Sequence, residues 1–314
     1  MSLTTSYGKQ VVYGIGLESA YGTAMVSASG LCVFQGLDKV DIDAGIKQFE
    51  YRDGRSAEPT MQETITTVSG SRHTISIAGK LSKHMLPHLL HGHMQNQSAG
   101  VYTYWSTHPS TPRSYTFVVK DPITGRDRVY SGCVMQGVKV SGQKGEPVMF
   151  EATLVTKGPV LNAQTLPAAT SWKTSGSKSS NFGTMMFSDM QYQMNVGSGY
   201  SSIPAKSFAL TLSYSEITQE NPQGDGTYAD AGFGTREGNQ LELTLLAGPT
   251  TESIRTRIKT GDSIGFKTAN GGLGVTATGI VTADPDNLDV HTGMDVTAAL
   301  KATDHTTNQI QFSL

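Results

Sequence analysis

Apolar residues recur at every second position in stretch after stretch of this sequence, and a period of two is the signature of a strand with one buried face. His73, Ile75 and Ile77 alternate with Thr74 and Ser76, and Leu241, Leu243 and Leu245 with Glu242 and Thr244. Met190, Tyr192, Met194 and Val196 alternate with Gln191, Gln193 and Asn195. Two further sets, Val148, Phe150, Ala152 and Leu154, then Met294, Val296, Ala298 and Leu300, repeat the pattern. Composition closes off the helical alternative. Glycine takes 35 of 314 positions and charged residues only 16%, against ~7% and ~25% in an average protein. The residues that fill exposed helices are correspondingly scarce, which excludes a mostly helical fold.

The elements come in the same order twice. Lys157 to Asn181 holds Gly158, Pro159, Pro167 and the run Thr174-Ser175-Gly176-Ser177-Lys178-Ser179-Ser180, and it reads as a linker. The sequence therefore predicts two β domains, residues 1–157 and 184–314, joined by residues 158–183. In each, an alternating strand leads to a short helix. The first is Ser82 to His91, capped by Ser82 and interrupted by Pro87; the second is Thr251 to Lys259, capped by Thr251, with Ile254 and Ile258 facing a core and Gly261 as its stop. A hairpin follows each helix. Tyr115 to Val119 turns through Asp121 to Gly125 into Val129 to Val140, and Ser263 to Lys267 turns through Asn270-Gly271-Gly272 into Val275 to Thr282. Each half closes with one of the two alternating sets named last, and Phe208, Leu210, Leu212 and Tyr214 mark an extra strand before the second helix.

Two polar segments, Asp41 to Thr67 and Ser215 to Gly238, occupy matching places and exceed the ~12–15 residues that a compact domain leaves without structure. Their aromatic residues, Phe49, Tyr51, Tyr228 and Phe233, set them apart from disordered tails. With Arg52, these residues are the candidates for arms that meet a neighbouring subunit.

With 24 basic and 26 acidic side chains the net charge is −2, which gives no overall positive field for capturing nucleic acid or an anionic membrane. Cys32 and Cys133 are the only cysteines and lack zinc or redox spacing. No stretch approaches ~18 apolar residues and residues 1–16 lack a secretory core, so a soluble chain is expected. Motifs that could carry chemistry are incomplete. Gly261-Asp262-Ser263-Ile264-Gly265 matches the serine elbow G-x-S-x-G, but Ser263 follows a helix and opens a strand, the reverse of the elbow's setting. His84, His88, His91 and His93 have the spacing of a zinc-binding helix face, without the nearby carboxylate or Cys that often completes one, and Pro87 disturbs the spacing. Asp284 to Asp289 lacks the Gly and Glu of a helix-loop-helix calcium site, and Gly14-Ile15-Gly16 and Gly271-Gly272-Leu273-Gly274 read as turn glycines. The expectation is a protein that is not an enzyme and uses no cofactor or metal.

The segment Gly14-Ile15-Gly16-Leu17-Glu18-Ser19-Ala20-Tyr21-Gly22-Thr23-Ala24, followed by a strand and a long polar arm, resembles the opening of the tail tube (major tail) proteins of long-tailed bacteriophages. Met186-Phe187-Ser188-Asp189-Met190-Gln191 and Ser207-Phe208-Ala209-Leu210-Thr211-Leu212-Ser213 are similar to the second half of tube proteins with two tandem domains. The resemblance implies a mainly β fold of two tandem tube-like β-sandwich domains, each with one short flanking helix. It implies inner sheets that join between subunits into a barrel around a channel for duplex DNA. Rings would be trimers with pseudo-sixfold symmetry that stack into the virion tail, assembled in the bacterial cytoplasm with other tail proteins and no membrane. A channel through which DNA slides needs polar or acidic walls. The candidates are Asp189, Gln191, Gln193, Asn195, Glu151, Thr153, Asp295 and Thr297. The residues leave one other class open, a carbohydrate-binding or adhesive β-sandwich, for which Tyr102, Tyr104 and Trp105 form the aromatic cluster.

Overall fold

The structure is a computed structural model that describes residues 11–34, 36–43, 46–52, 64–71, 73–82, 85–98, 101–104, 113–121, 125, 127–156, 158–160, 165–172, 184–197, 199–220, 228–246, 253–254, 256–257, 264–269, 274–281, 295–301 and 310–313. For 46–52, 64–71, 102–104, 158–159, 215–220, 228–239, 246, 269, 274–281, 295–301 and 310–313 it describes the backbone only.

The chain is mainly β. In order it forms β1 (Val12–Leu17), β2 (Leu31–Val33), β3 (Leu37–Asp43), β4 (Ile46–Arg52), β5 (Thr64–Ser71), β6 (His73–Lys80), α1 (Leu86–Met94), β7 (Gln95–Ser98), β8 (Val101–Tyr104), β9 (Tyr115–Lys120), β10 (Arg128–Gln143) and β11 (Met149–Thr156). There follow β12 (Gly158–Pro159), β13 (Gln191–Asn195), β14 (Tyr200–Ser202), β15 (Ala205–Glu220), β16 (Tyr228–Leu246), β17 (Ile264–Ala269), β18 (Gly274–Val281), β19 (Asp295–Lys301) and β20 (Ile310–Ser313). Residues 253–254 and 256–257 are also helical, where the second helix was expected.

One long antiparallel sheet runs in the order β3–β6–β11–β10–β15–β16–β19–β18. Two shorter sheets run β2–β1–β9–β10–β12 and β14–β13–β17–β18–β20–β8–β7. Shared strands connect the three sheets, and among the described strands only the β4–β5 hairpin lies outside them. Traced ladder by ladder the network is open, because β3, β2, β12, β14 and β7 each have one partner among the described strands.

The ladders repeat. β1–β2, β1–β9, β9–β10, β10–β12, β10–β11, β11–β6 and β6–β3 in the first half correspond to β13–β14, β13–β17, β17–β18, β18–β20, β18–β19, β19–β16 and β16–β15 in the second. In each half one long strand, β10 or β18, leaves a short sheet and enters the long one. β10 makes that passage at a bulge between Tyr130 and Cys133, where Gly132 takes φ +64°, and a second irregularity follows between Met135 and Gly137. The halves meet edge to edge where β10 pairs with β15, from Gly137 opposite Ser213 to Gln143 opposite Ser207.

Between the long sheet and the shorter ones lies a continuous apolar core. Ile75, Ile77, Phe150, Leu154, Val138 and Val140 from the first half and Leu210, Leu212, Leu241, Leu243 and Phe266 from the second belong to one buried cluster. Leu86, Leu89, Leu90 and Met94 of α1 complete it. The expected first helix is corrected at both ends. It starts at Leu86, which puts Pro87 in the first turn, where the missing N–H has no helical partner to lose; it ends at Met94, with Gln95 left-handed at φ +66°.

Both faces of the first short sheet are buried along β9, where Tyr115 to Val119 are all buried, and Val118 on its outer face needs an apolar cover. Residues 165–172, within the stretch expected to be a linker, provide it. Leu166 and Trp172 are each 2% exposed and pack with Leu31, Val118 and Val129 as a second small core. Asp127 and Lys120 pin this cover: Leu166 N donates to Asp127 Oδ2 at 3.2 Å, and Lys120 Nζ donates to Leu166 O at 2.9 Å. Gly14 leaves room for it, since a Cβ there would stand 2.7 Å from Trp172 Cζ3.

The two polar arms differ from the loops the sequence suggests. Gln48 to Arg52 pair with Val68 to Thr64 in the β4–β5 hairpin, and Glu216 to Glu220 pair with Phe233 to Tyr228 at the far end of β15–β16. Their sequences are rich in Thr, Gln, Glu and Gly and lack the long apolar alternation that marks the core strands, so the pattern does not disclose the pairing.

Candidate functional site

The long sheet has one face on the core and one face open. On the open face, side by side across the ladders, stand Lys39, Asp41 and Asp43 of β3, Ser76 of β6, Glu151 and Thr153 of β11, Lys139 and Ser141 of β10, Thr211 of β15, and Gln240 and Glu242 of β16. The surface is polar and mixed in charge. Glu151, opposite Lys139, lies 3.9 Å from its ammonium, and both are well exposed, so the pair adds little stability. Thr297 of β19 stands opposite Thr244, and Asp295 opposite Leu246, which continues the same surface in register; their side chains lie outside the described residues.

Glu151, Thr153, Asp295 and Thr297 of the candidate set are therefore brought onto one sheet. Asp189, Gln191, Gln193 and Asn195 are not among them. Asp189 ends a single helical turn, and the other three lie on or at the end of β13, in the second short sheet on the far side of the core. Asn195 has a local role there, its Oδ1 accepting from Gly197 N at 2.9 Å and Gly199 N at 3.2 Å. Alternation identified the polar face of each strand but could not say to which sheet the strand belonged.

Among the arm residues, Phe49, Tyr51 and Arg52 stand opposite Thr67, Ile65 and Thr64, and Tyr228 and Phe233 opposite Glu220 and Glu216. Their side chains, like those of Tyr102 and Tyr104 on β8, lie outside the described residues, as do Trp105, His84, Ser263 and the run Asp284 to Asp289. The remaining histidines of the cluster are set among different neighbours, although His88 and His91 lie close enough to feel each other's charge. His88 meets Tyr115 edge-on at 6.1 Å, and His93 is fully buried with its ring 4.4 Å from that of Tyr214 on β15. Burial, together with the positive Arg113 and His88, pushes the pKa of His91 down from 6.5 to about 4. Among the described residues no three His, Cys, Asp or Glu side chains gather as a metal site would need.

Comparison with known proteins adds little. No family model and no curated protein matches the chain. The chain is loosely similar to a protein in the tail of an empty GTA particle refined with C6 symmetry: 51% of this chain overlays all of that one at 10% identity and a TM-score of 0.31. Overlap that loose is shared by unrelated β folds.

Glu18, quoted above only as part of a motif, has the most fully bonded carboxylate among the described residues. It is 8% exposed. Oε2 accepts from Gly22 N at 2.8 Å and Ser114 Oγ at 2.5 Å; Oε1 accepts from Thr116 Oγ1 at 2.8 Å and Gly132 N at 2.9 Å. One side chain thus ties the Tyr21-Gly22 turn to β9 and to the bulge at which β10 changes sheets. The motif is a local solution to a buried charge: four donors surround the carboxylate, and glycines at 22 and 132 let backbone amides be two of them. An acidic residue set amid glycines just after an apolar strand was the available signal.

Proposed function

We propose that this protein is a structural, non-enzymatic subunit of a bacteriophage tail tube, built of two tube-like units, residues 1–157 and 184–314, and forming rings that stack around a channel for duplex DNA. The observation that carries the reading is the repeated ladder scheme together with its junction. β15, the counterpart of β3, has its outer edge filled by β10, whereas the matching edge of β3 has no partner among the described strands. An edge whose equivalent is paired inside the same chain fits the equivalent strand of a second copy, and a head-to-tail contact of that kind makes a ring when its rotation closes.

The long sheet gives each chain eight strands. Three chains would supply ~24, which at ~4.8 Å spacing and ~40° tilt close into a barrel about 48 Å across between backbones, wide enough for duplex DNA. Its wall would be the open face of the long sheet. Lysines there are interspersed with carboxylates, so the lumen offers no continuous cationic track on which phosphates would stick. On this reading Asp189, Gln191, Gln193 and Asn195 face the outside of the tube, and the β4–β5 hairpin and the end of β15–β16 reach towards the next ring. Mass measurement of the isolated ring tests the proposal: three chains per ring are expected. Six chains per ring, or a monomer under all assembly conditions, would refute it.

A further inference from the structure

Resting on the ring reading above, we propose that the ring contains two unequal kinds of junction, three stiff ones inside the chains and three more compliant ones between them. Three features fasten the internal junction. The inner ladder is β10–β15. Beside it, on the core face, Tyr214 Oη donates to His93 O at 2.9 Å while the two rings lie 4.4 Å apart, so a strand of the second half holds the end of α1 in the first. On the outer side β8, from the hairpin that follows α1, pairs with β20, Tyr102 opposite Phe312 and Val101 opposite Ser313.

For the junction between chains the described residues offer no copy of the last two. Among the described residues the hairpin β7–β8 has no counterpart in the second half, where the sequence leaves only residues 258–263 between the helical residues 256–257 and β17. The strand that would receive it, β12, is the counterpart of β20 but is only Gly158–Pro159, and a proline has no N–H to offer an added strand. Alignment of β3 with β15 through their partners sets Val40 against Phe208 and Ile42 against Leu210, so the place of Tyr214 falls within residues 44–48. These are Ala44-Gly45-Ile46-Lys47-Gln48, with no hydroxyl among them. The shared β contact is thus reinforced in one junction and bare in the other.

The test uses tubes assembled from the full chain carrying a specific protease site in place of residues 175–178. After cleavage, rising urea is expected to release paired halves of one chain first and separate halves only later, with the internal junction at least about 30-fold tighter, two hydrogen bonds' worth, ~2 kcal/mol. Val101→Pro and Tyr102→Pro, one of which must remove an N–H facing β20 since successive amides in a strand point to opposite sides, should bring the two steps together. Tyr214→Phe, which keeps the ring stack and loses only the hydroxyl, should narrow the gap by about fivefold. Separate halves appearing in the same step as ring loss, or a gap unchanged by all three variants, would overturn the inference while leaving the ring reading intact. Absence of rings in the uncleaved wild-type protein would overturn both.

Discussion

Glu18→Gln isolates the contribution of the buried carboxylate because it changes charge and one hydrogen-bonding atom without changing shape. Each carboxylate oxygen accepts one backbone N–H and one hydroxyl: Gly22 N and Ser114 Oγ on Oε2, Gly132 N and Thr116 Oγ1 on Oε1. A hydroxyl can turn to accept from the new amide N–H2, but a backbone N–H cannot. Whichever way the glutamine is flipped, either Gly22 N, which is half-buried, or Gly132 N, which is buried, loses its acceptor. One stranded buried donor costs about 1–3 kcal/mol, and the loss of charge assistance in the surviving bonds raises the expected total to about 2–4 kcal/mol. Glu18→Ala should cost more, since both N–H groups are then stranded. Urea unfolding of the unassembled chain measures the loss, with an unchanged slope showing that the same structure is being unfolded. If both variants fall within ~0.5 kcal/mol of wild type, as ordinary surface substitutions do, the carboxylate is not the tie described here.

Other outcomes follow from the same geometry. Trp172→Ala should destabilise by about 3–5 kcal/mol by emptying the second core, and Gly14→Val should also destabilise by placing side-chain atoms where the indole lies; thermal unfolding should show the two effects to be less than additive. His91 is held neutral in the fold, with its pKa lowered to about 4 from 6.5, so the unfolded chain binds the extra proton first as the pH falls. Stability present above about pH 6.5 should be lost progressively down to about pH 4, and in His91→Gln this part of the acid limb should flatten in unfolding curves taken across that range. Assembled wild-type tubes should not retain duplex DNA, whereas Glu151→Lys with Glu242→Lys should retain it at low salt and release it as salt rises, read by co-sedimentation.

How much of this could be read in the sequence depends on what each feature needs. The strands from His73, Tyr115, Val129, Met149, Phe208 and Leu241 onward were legible because a sheet with one buried face writes its period directly into the chain. Partner choice is not written that way. Nothing in the alternation of Phe208 to Tyr214 says that it lies against β10 rather than in a separate domain, so the shared core of the two halves could be seen only in three dimensions. Leu166 and Trp172 were missed because two apolar residues in a stretch rich in Ser, Thr and Pro carry no periodic signal, yet they are enough to cover a sheet only a few strands wide. The arms are recognisable by length and composition, but the few apolar residues of the hairpin, Ile46, Phe49, Tyr51, Ile65 and Val68, are too short a pattern to disclose its pairing. Of the candidate channel residues, polarity was legible and sheet membership was not, which is why β11 and β19 belong together and β13 does not.

The central claim is that the edge of β3 left without a partner among the described strands is completed by a second copy of the chain, and a density map of assembled particles tests it most directly. The predicted map shows a ring of three chains whose inner wall is one continuous barrel of about 24 strands, with β3 of each chain hydrogen-bonded to its neighbour and Glu151, Thr153 and Glu242 facing the lumen. A ring in which β3 stays unpaired, or whose lumen is lined by β13 in place of β11 and β16, would contradict it.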